Sequence, residues 1–444
     1  MNTILKTSLL SVALCASLYA APAKDLRSEI LLTYANIALV NYSDALSDAQ
    51  TLQNAIKAFS ENPTEVNLKK AKDAWLVSRE SYGTTEALRL SNGPIDAEEG
   101  WVAKSYGALE GQINPWPLDE NMIDYTVDAN GKKTSGNIID TKGKFKPGGE
   151  KPTTVDVTNI TVEALTDLNE NGGEANVATG FHAIEFLLWG QDQDYGNFMD
   201  DKVTPGAMVA GQRPLSDFTT DTFAARRLAY LNSAATKLSE DLEKVTKAWD
   251  KNISSNCAKD ATGCYRGALL GELKGKDAKK NIPLKVALKD IIAGMGIFIK
   301  SELANERIAV AVLTPSEEDE HSCFSDNTHR DIAQNYAGFK NILTGNYKEV
   351  KGMSLYDGVD AQTKADMNAL MASIEAKIAK IDEVAKTSAH FDYQIKPEHS
   401  QAAEIKKLKN EMRKLGDMMV LVAKANKVDL SVNDVTDPEE TKVK

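Results

Sequence analysis

A histidine and a glutamate three residues apart sit inside an otherwise apolar run, Gly180-Phe181-His182-Ala183-Ile184-Glu185-Phe186-Leu187-Leu188-Trp189. On a helix that spacing puts both side chains on one face, aimed at one point. An imidazole and a carboxylate in apolar surroundings cost free energy unless each is paired. A metal ion would satisfy both. So would an internal salt bridge, and the pair alone does not decide between them. Trp75, Arg79, Tyr82 and Glu86 recur at i, i+4, i+7 and i+11, so they share a second helix face. Trp and Tyr there imply packing, so Arg79 and Glu86 need partners. They can pair with each other, or Glu86 can be a third ligand facing His182 and Glu185, as bundle metal sites are built. Gly93-Pro94-Ile95-Asp96 ends that helix; Asp96 is either a turn residue or a further oxygen ligand.

A second polar cluster is expected from His321, Ser322, Asp326 and His329, with Arg307 from the acidic segment before them. Ser325 or Asp326 is expected to cap the helix that starts near His329. His390 and His399 read as surface histidines. The HExxH, G-x-S-x-G and phosphate-loop patterns do not occur in the chain. A set of His182, Glu185, Glu86 and Asp96 is hard and oxygen-rich, suited to iron or manganese, with zinc also compatible.

The elements that must position these groups are helices. Leu228, Leu231, Ala235, Leu238, Leu242, Val245 and Trp249 form one apolar stripe. Ile405, Leu408, Met412, Leu415, Met419 and Val422 form another, and Met367, Leu370, Ile374, Ile378 and Ile381 a third. No alternating strand pattern matches these in strength. The expected fold is all-α: two helical-bundle domains, 21–213 and 214–444, with a boundary near Gly211–Pro214. Glycines and prolines puncture 91–160, which reads as a long irregular insertion in the first domain, with a short hairpin at Asn130-Gly131. Pseudo-duplication is suggested by laying the Gly180 segment on Gly296-Ile-Phe-Ile-Lys-Ser-Glu-Leu, where Phe298 and Ser301 replace His182 and Glu185.

The first residues read as an export signal, 1–20: Lys6, an apolar stretch from Leu9 to Leu18, and small residues at Ala20-Ala21. The net charge of −12 argues against nucleic acid as a partner and is compatible with a cation. Cys257 and Cys264 bracket a polar loop; a local disulfide and free thiols both fit the spacing.

These motifs together resemble the imelysin family, whose members include proteins called insulin-cleaving metalloprotease and iron-regulated protein A. The residues that carry the resemblance are Gly180-x-His182-x-x-Glu185, Trp75…Arg79…Tyr82…Glu86, Gly93-Pro94-Ile95-Asp96, Ile113-Asn114-Pro115-Trp116-Pro117 and His321-Ser322-Cys323-Phe324-Ser325-Asp326-Asn327-Thr328-His329. The resemblance implies two related bundles with a cleft between them and an exported, periplasmic or outer-surface protein of iron acquisition. It implies iron at His182 and Glu185, with Glu86 and Asp96 as additions, Arg79 and Gly180 in support, and a membrane-bound iron transporter as partner. A metallopeptidase, or a cleft that takes a haem, siderophore or protein, is the alternative.

Overall fold

A computed structural model of the chain describes residues 25–127, 131–191, 208–313 and 320–437. The expected export signal, and Asn130 of the expected hairpin, lie outside them. Eight helices dominate: α1 (Leu26–Glu61), α2 (Glu65–Thr85), α3 (Gly180–Trp189), α4 (Ala224–Ala248), α5 (Leu284–Ile297), α6 (Thr328–Thr344), α7 (Ala361–Thr387) and α8 (Ala402–Ala425). The strands are two antiparallel pairs of two residues each among the described residues, Lys144–Phe145 with Val155–Asp156 and Asn346–Tyr347 with Val350–Lys351. The fold is all-α, as the apolar stripes require. Every named stripe position of α8 is buried, and so are Leu231, Ala235, Leu238, Leu242 and Val245 of α4. Side-chain caps fix where helices begin: Asp25 accepts from the Arg27 amide, Thr64 from Asn67, and Asp360 from Gln362 and Thr363.

α1 and α2 form a hairpin. α4 packs along α1, and α3 fits between α2 and α4. α4 thus packs with the N-terminal helices, although it follows the boundary expected at Gly211–Pro214. Its apolar stripe is buried against α1, so the first bundle extends at least to Ala248. α5, α6, α7 and α8 make the second bundle, and one continuous apolar core runs through both. The halves meet where α2 crosses α6. A side chain at Gly83 would press on Gln334, and one at Gly338 would meet the backbone of Thr84, so glycine permits this close crossing.

α5 runs straight on into a π-helical stretch, Phe298–Ala309, that carries Glu302 and Arg307. π-helix is rare and concentrates at functional sites. Gly296 is therefore interior to one long helix and does not open one as Gly180 does. Its missing side chain makes room for Val435. The 91–160 insertion is tied down by short helices at Gly100–Tyr106, Glu110–Ile113 and Glu120–Ile123, and Val127 bridges Lys133. Cys257 and Cys264 are joined in a disulfide, and Cys323 is buried apart from it.

Candidate metal centre

Every residue of α3 is buried, His182 and Glu185 included. The helix begins at Gly180 with φ +83°, and a Cβ there would lie 2.5 Å from the Ile113 carbonyl oxygen and 2.9 Å from Pro115 Cδ. Only glycine allows this turn and this approach together. The contact also explains why Ile113-Asn114-Pro115-Trp116 accompanies the glycine: it sets Trp116 against the His182 ring, with centroids 5.0 Å apart. On the other side, the Trp75 indole donates to the Phe181 carbonyl at 2.9 Å and holds α3 on α2.

His182 Nδ1 and Glu185 Oε2 are 2.9 Å apart. Glu185 Oε1 accepts two further hydrogen bonds, from the Ser325 amide at 3.0 Å and the Ser325 hydroxyl at 2.6 Å. Nε2 of His182 is buried and has no hydrogen-bond partner. The His321 ring lies beside it, centroids 4.6 Å apart, and is held the same way, with Nδ1 2.7 Å from Asp331 Oδ2. Two carboxylate–histidine pairs therefore meet edge to face at the junction of the bundles. Burial pushes the His182 imidazole well below its usual value, and His321 and Arg79 add to this. Burial likewise pushes the Glu185 carboxyl up to about 8, against the pull of Ser325 and Arg79. The pair has two arrangements. With Glu185 protonated, its O–H donates to Nδ1 and the ring proton sits on Nε2. With Glu185 ionised, Nδ1–H donates to it and Nε2 presents a lone pair.

Asp331 anchors a second layer. Its Oδ1 accepts from Arg79 Nη2 at 2.9 Å and Nε at 3.2 Å, and its Oδ2 also accepts from the Ser322 hydroxyl. Arg79 donates in turn to Asn114 Oδ1 at 2.6 Å, and Asn114 donates to Glu86 Oε1 at 3.4 Å. Burial would raise the Asp331 pKa, but Arg79 and His321 hold it far below the usual carboxylate range.

Two expected ligands are elsewhere. Glu86 is buried, but its carboxylate is ion-paired to Arg307, with Arg79 at 3.8 Å and Arg89 at 3.9 Å. A carboxylate ringed by guanidinium groups is already neutralised and is a poor cation ligand. Asp96 accepts from the Leu90 amide and lines an open acidic cleft with Glu98, Glu99, Glu110 and Glu170. The four groups do not share a ligand point. Among the described residues, only Asp326, His390 and Asp392 bring three such ligand atoms within 4.8 Å of one another.

The expected second cluster also divides. His321 and Ser322 join the His182 layer through Asp331. Arg307 belongs to Glu86 and Glu302, its Nη1 lying 3.2 Å from Glu302 Oε2. His329 lies 3.6 Å from Asp382, and Asp326 faces His390. α6 begins at Thr328 after Asn327, with no side-chain cap. Ser325 serves Glu185 instead, and Asp326 accepts from the Val209 amide. His390, expected at the surface, is buried at 5 % exposure. The sequence reading missed the site roles of Ser325, Asp331, Asn114 and Trp116. Each lies in a quoted motif or within two residues of one, and that neighbourhood was the signal available.

Comparison with known proteins agrees with the fold. The chain is 23% identical over 309 residues to iron-regulated protein A of Synechococcus elongatus, a match covering 70% of this chain and 62% of that protein. A crystal structure from Parabacteroides distasonis, provisionally described as an iron-regulated protein A precursor, superposes with a TM-score of 0.60 at 17% identity. That superposition covers 92% of this chain and 96% of the other, and establishes shared architecture. The sequence signature of the imelysin family, designated peptidase M75, matches residues 38–418, and the chain belongs to that family.

Proposed function

We propose that this protein binds a metal ion, iron in the first instance, at His182 and serves iron acquisition outside the cytoplasm. The observation that carries the reading is the buried, unpartnered Nε2 of His182. A buried polar atom without a partner costs free energy, and a ligand recovers it. Nδ1 held by a carboxylate is the arrangement that orients metal-binding histidines. Glu185 therefore acts as the orienting partner, and His182 with His321 would hold the ion. Two imidazoles suit iron and zinc better than manganese. The relative named iron-regulated protein A, the export signal in the sequence and the acidic charge support the cellular role. Among the described residues no helix is long and apolar enough to cross a membrane. Delivery would then fall to a membrane-bound iron transporter.

The test is calorimetric titration of the mature chain with Fe(II), under anaerobic conditions, and with Zn(II). His182→Ala is expected to lower the stoichiometry by one ion per chain. Unchanged stoichiometry would favour the second reading, in which His182 and Glu185 are a structural pair, as their mutual 2.9 Å contact allows.

A pH dependence follows from Glu185. Its carboxyl titrates near 8 when folded and near 4.3 when unfolded, so the folded, metal-free state keeps this proton across neutral pH. An ion held at Nε2 would require the ring proton to sit on Nδ1 with Glu185 ionised, so one proton would be released. Affinity should therefore rise with pH and level off above about 8. Titration at pH 7 in buffers of different ionisation enthalpy should report about one proton per ion, and Glu185→Gln should abolish it.

Peptide cleavage suits the site less well. A metal-bound water needs a general base, and both oxygens of Glu185 are engaged, Oε1 by Ser325 and Oε2 by His182.

A further inference from the structure

The loop before α6 and the turn after α7 bring a separate group of residues together. Asp326 and Asp392 flank the His390 imidazole, and these three and Glu320 are all at most 5 % exposed. His390 Nδ1 is 3.4 Å from Asp326 Oδ1 and is also ion-paired with Asp392 Oδ1. A tetrahedral ion with bonds of roughly 2.1 Å spaces its ligand atoms about 3.4 Å apart. Neither carboxylate oxygen of Glu320 has a partner within hydrogen-bond geometry. Asp392, Asp326 and His390 are the charged groups close enough to act on Glu320, so it lies beside the group.

The contrast with the other buried carboxylates is informative. Asp331 is answered by Arg79, Glu86 by Arg307, and Asp124 by Arg213 and Arg227. No arginine or lysine is among the strongest influences on Glu320 or His390. Two buried carboxylates beside one imidazole can have their charge balanced in two ways. Either protons do it, with His390 doubly protonated and Glu320 neutral, or a metal ion does.

We propose that Asp326, His390 and Asp392, with Glu320 beside them, form a second metal site, separate from His182, that takes a divalent transition-metal ion. One imidazole nitrogen with several carboxylate oxygens suits Mn(II), Fe(II) or Zn(II). Asp326 is well prepared for the role. Its backbone sits at φ +57°, and its second oxygen is fixed by the Val209 amide, which leaves Oδ1 turned to His390. The Tyr393 ring lies parallel to the His390 ring at 9°, with centroids 6.2 Å apart.

The experiment uses the full mature chain carrying His182→Ala, which removes the first proposed site, and Co(II) as probe. One Co(II) per chain is expected, with ligand-field absorption and X-ray absorption showing a first shell of one nitrogen and several oxygens. Asp392→Asn on the same background should weaken binding more than about 100-fold, beyond what loss of an outer-shell partner costs. If Asp392→Asn fails to fold, Glu320→Gln takes its place, with weakening of at least about 10-fold. No Co(II) bound by the His182→Ala chain overturns the proposal. So does a cobalt spectrum and affinity indifferent to the Asp392 and Glu320 changes. Neither result bears on the His182 site, which is absent from every chain in the experiment.

Discussion

Replacing Arg79 by methionine is expected to cost about 3–5 kcal/mol of folding stability, because it strands buried carboxylates without a counter-charge. Arg79 is 1 % exposed and is the hub between the bundles: it grips Asp331 of α6, Asn114 of the insertion and, more distantly, Glu86. Its guanidinium also lies 5.0 Å from the Phe181 ring centroid, so it touches α3 as well. Methionine fills most of the volume and meets none of these charges. Arg79→Lys should recover part of the loss, since it keeps the charge but loses the planar fork that reaches Asp331 and Asn114 together. The loss should shrink in acid. In the native chain the Asp331 pKa is depressed, so its contribution is present above about 3.9 and is lost as pH falls through the lower folded value. Without Arg79, burial raises that pKa, and protonation then relieves a penalty. Both effects narrow the gap between the two proteins as pH falls. Urea denaturation at neutral pH and at pH 4 measures it.

Gly180→Ala is the second large effect, about 2–5 kcal/mol, from a left-handed backbone angle and an overpacked contact acting together. The added methyl would meet the Ile113 carbonyl, and moving α3 away from it would carry His182 off Trp116 and His321. The variant should therefore lose metal affinity as well as stability. Gly173→Ala is the control: its backbone angle is ordinary and nothing lies within 4 Å of the added carbon. It should be neutral or slightly stabilising. Thermal unfolding and Fe(II) titration of both variants separate a local defect at Gly180 from a general intolerance of substitution.

The helices were legible in the sequence because a buried face repeats every three to four residues; α8 carries that repeat in full, and α4 and α7 carry it save for the half-buried Leu228 and Leu370. The packed face of Trp75, Arg79, Tyr82 and Glu86 was legible for the same reason. Partners were not. Ser325 is 140 residues from the Glu185 it binds, and Arg307 is 221 residues from Glu86. Local periodicity carries no information about such pairings. Glu86 looked like a ligand because a buried carboxylate needs a cation, and the cation proved to be a set of arginines. His390 looked exposed because it sits in a polar turn after α7. It is buried beside Asp326, which comes from the loop before α6. The glycine of Gly180-x-His182-x-x-Glu185 was visible as a letter, but its reason, the Ile113 carbonyl, is a contact across 67 residues.

The central claim is that His182 binds a metal through Nε2 while Glu185 holds Nδ1. Anomalous diffraction at the iron edge, from crystals of the iron-loaded protein, tests it most directly. The account predicts an iron peak within bonding distance of His182 Nε2, with Glu185 still on Nδ1. Iron found only elsewhere in the molecule, with Nε2 bare, would contradict it.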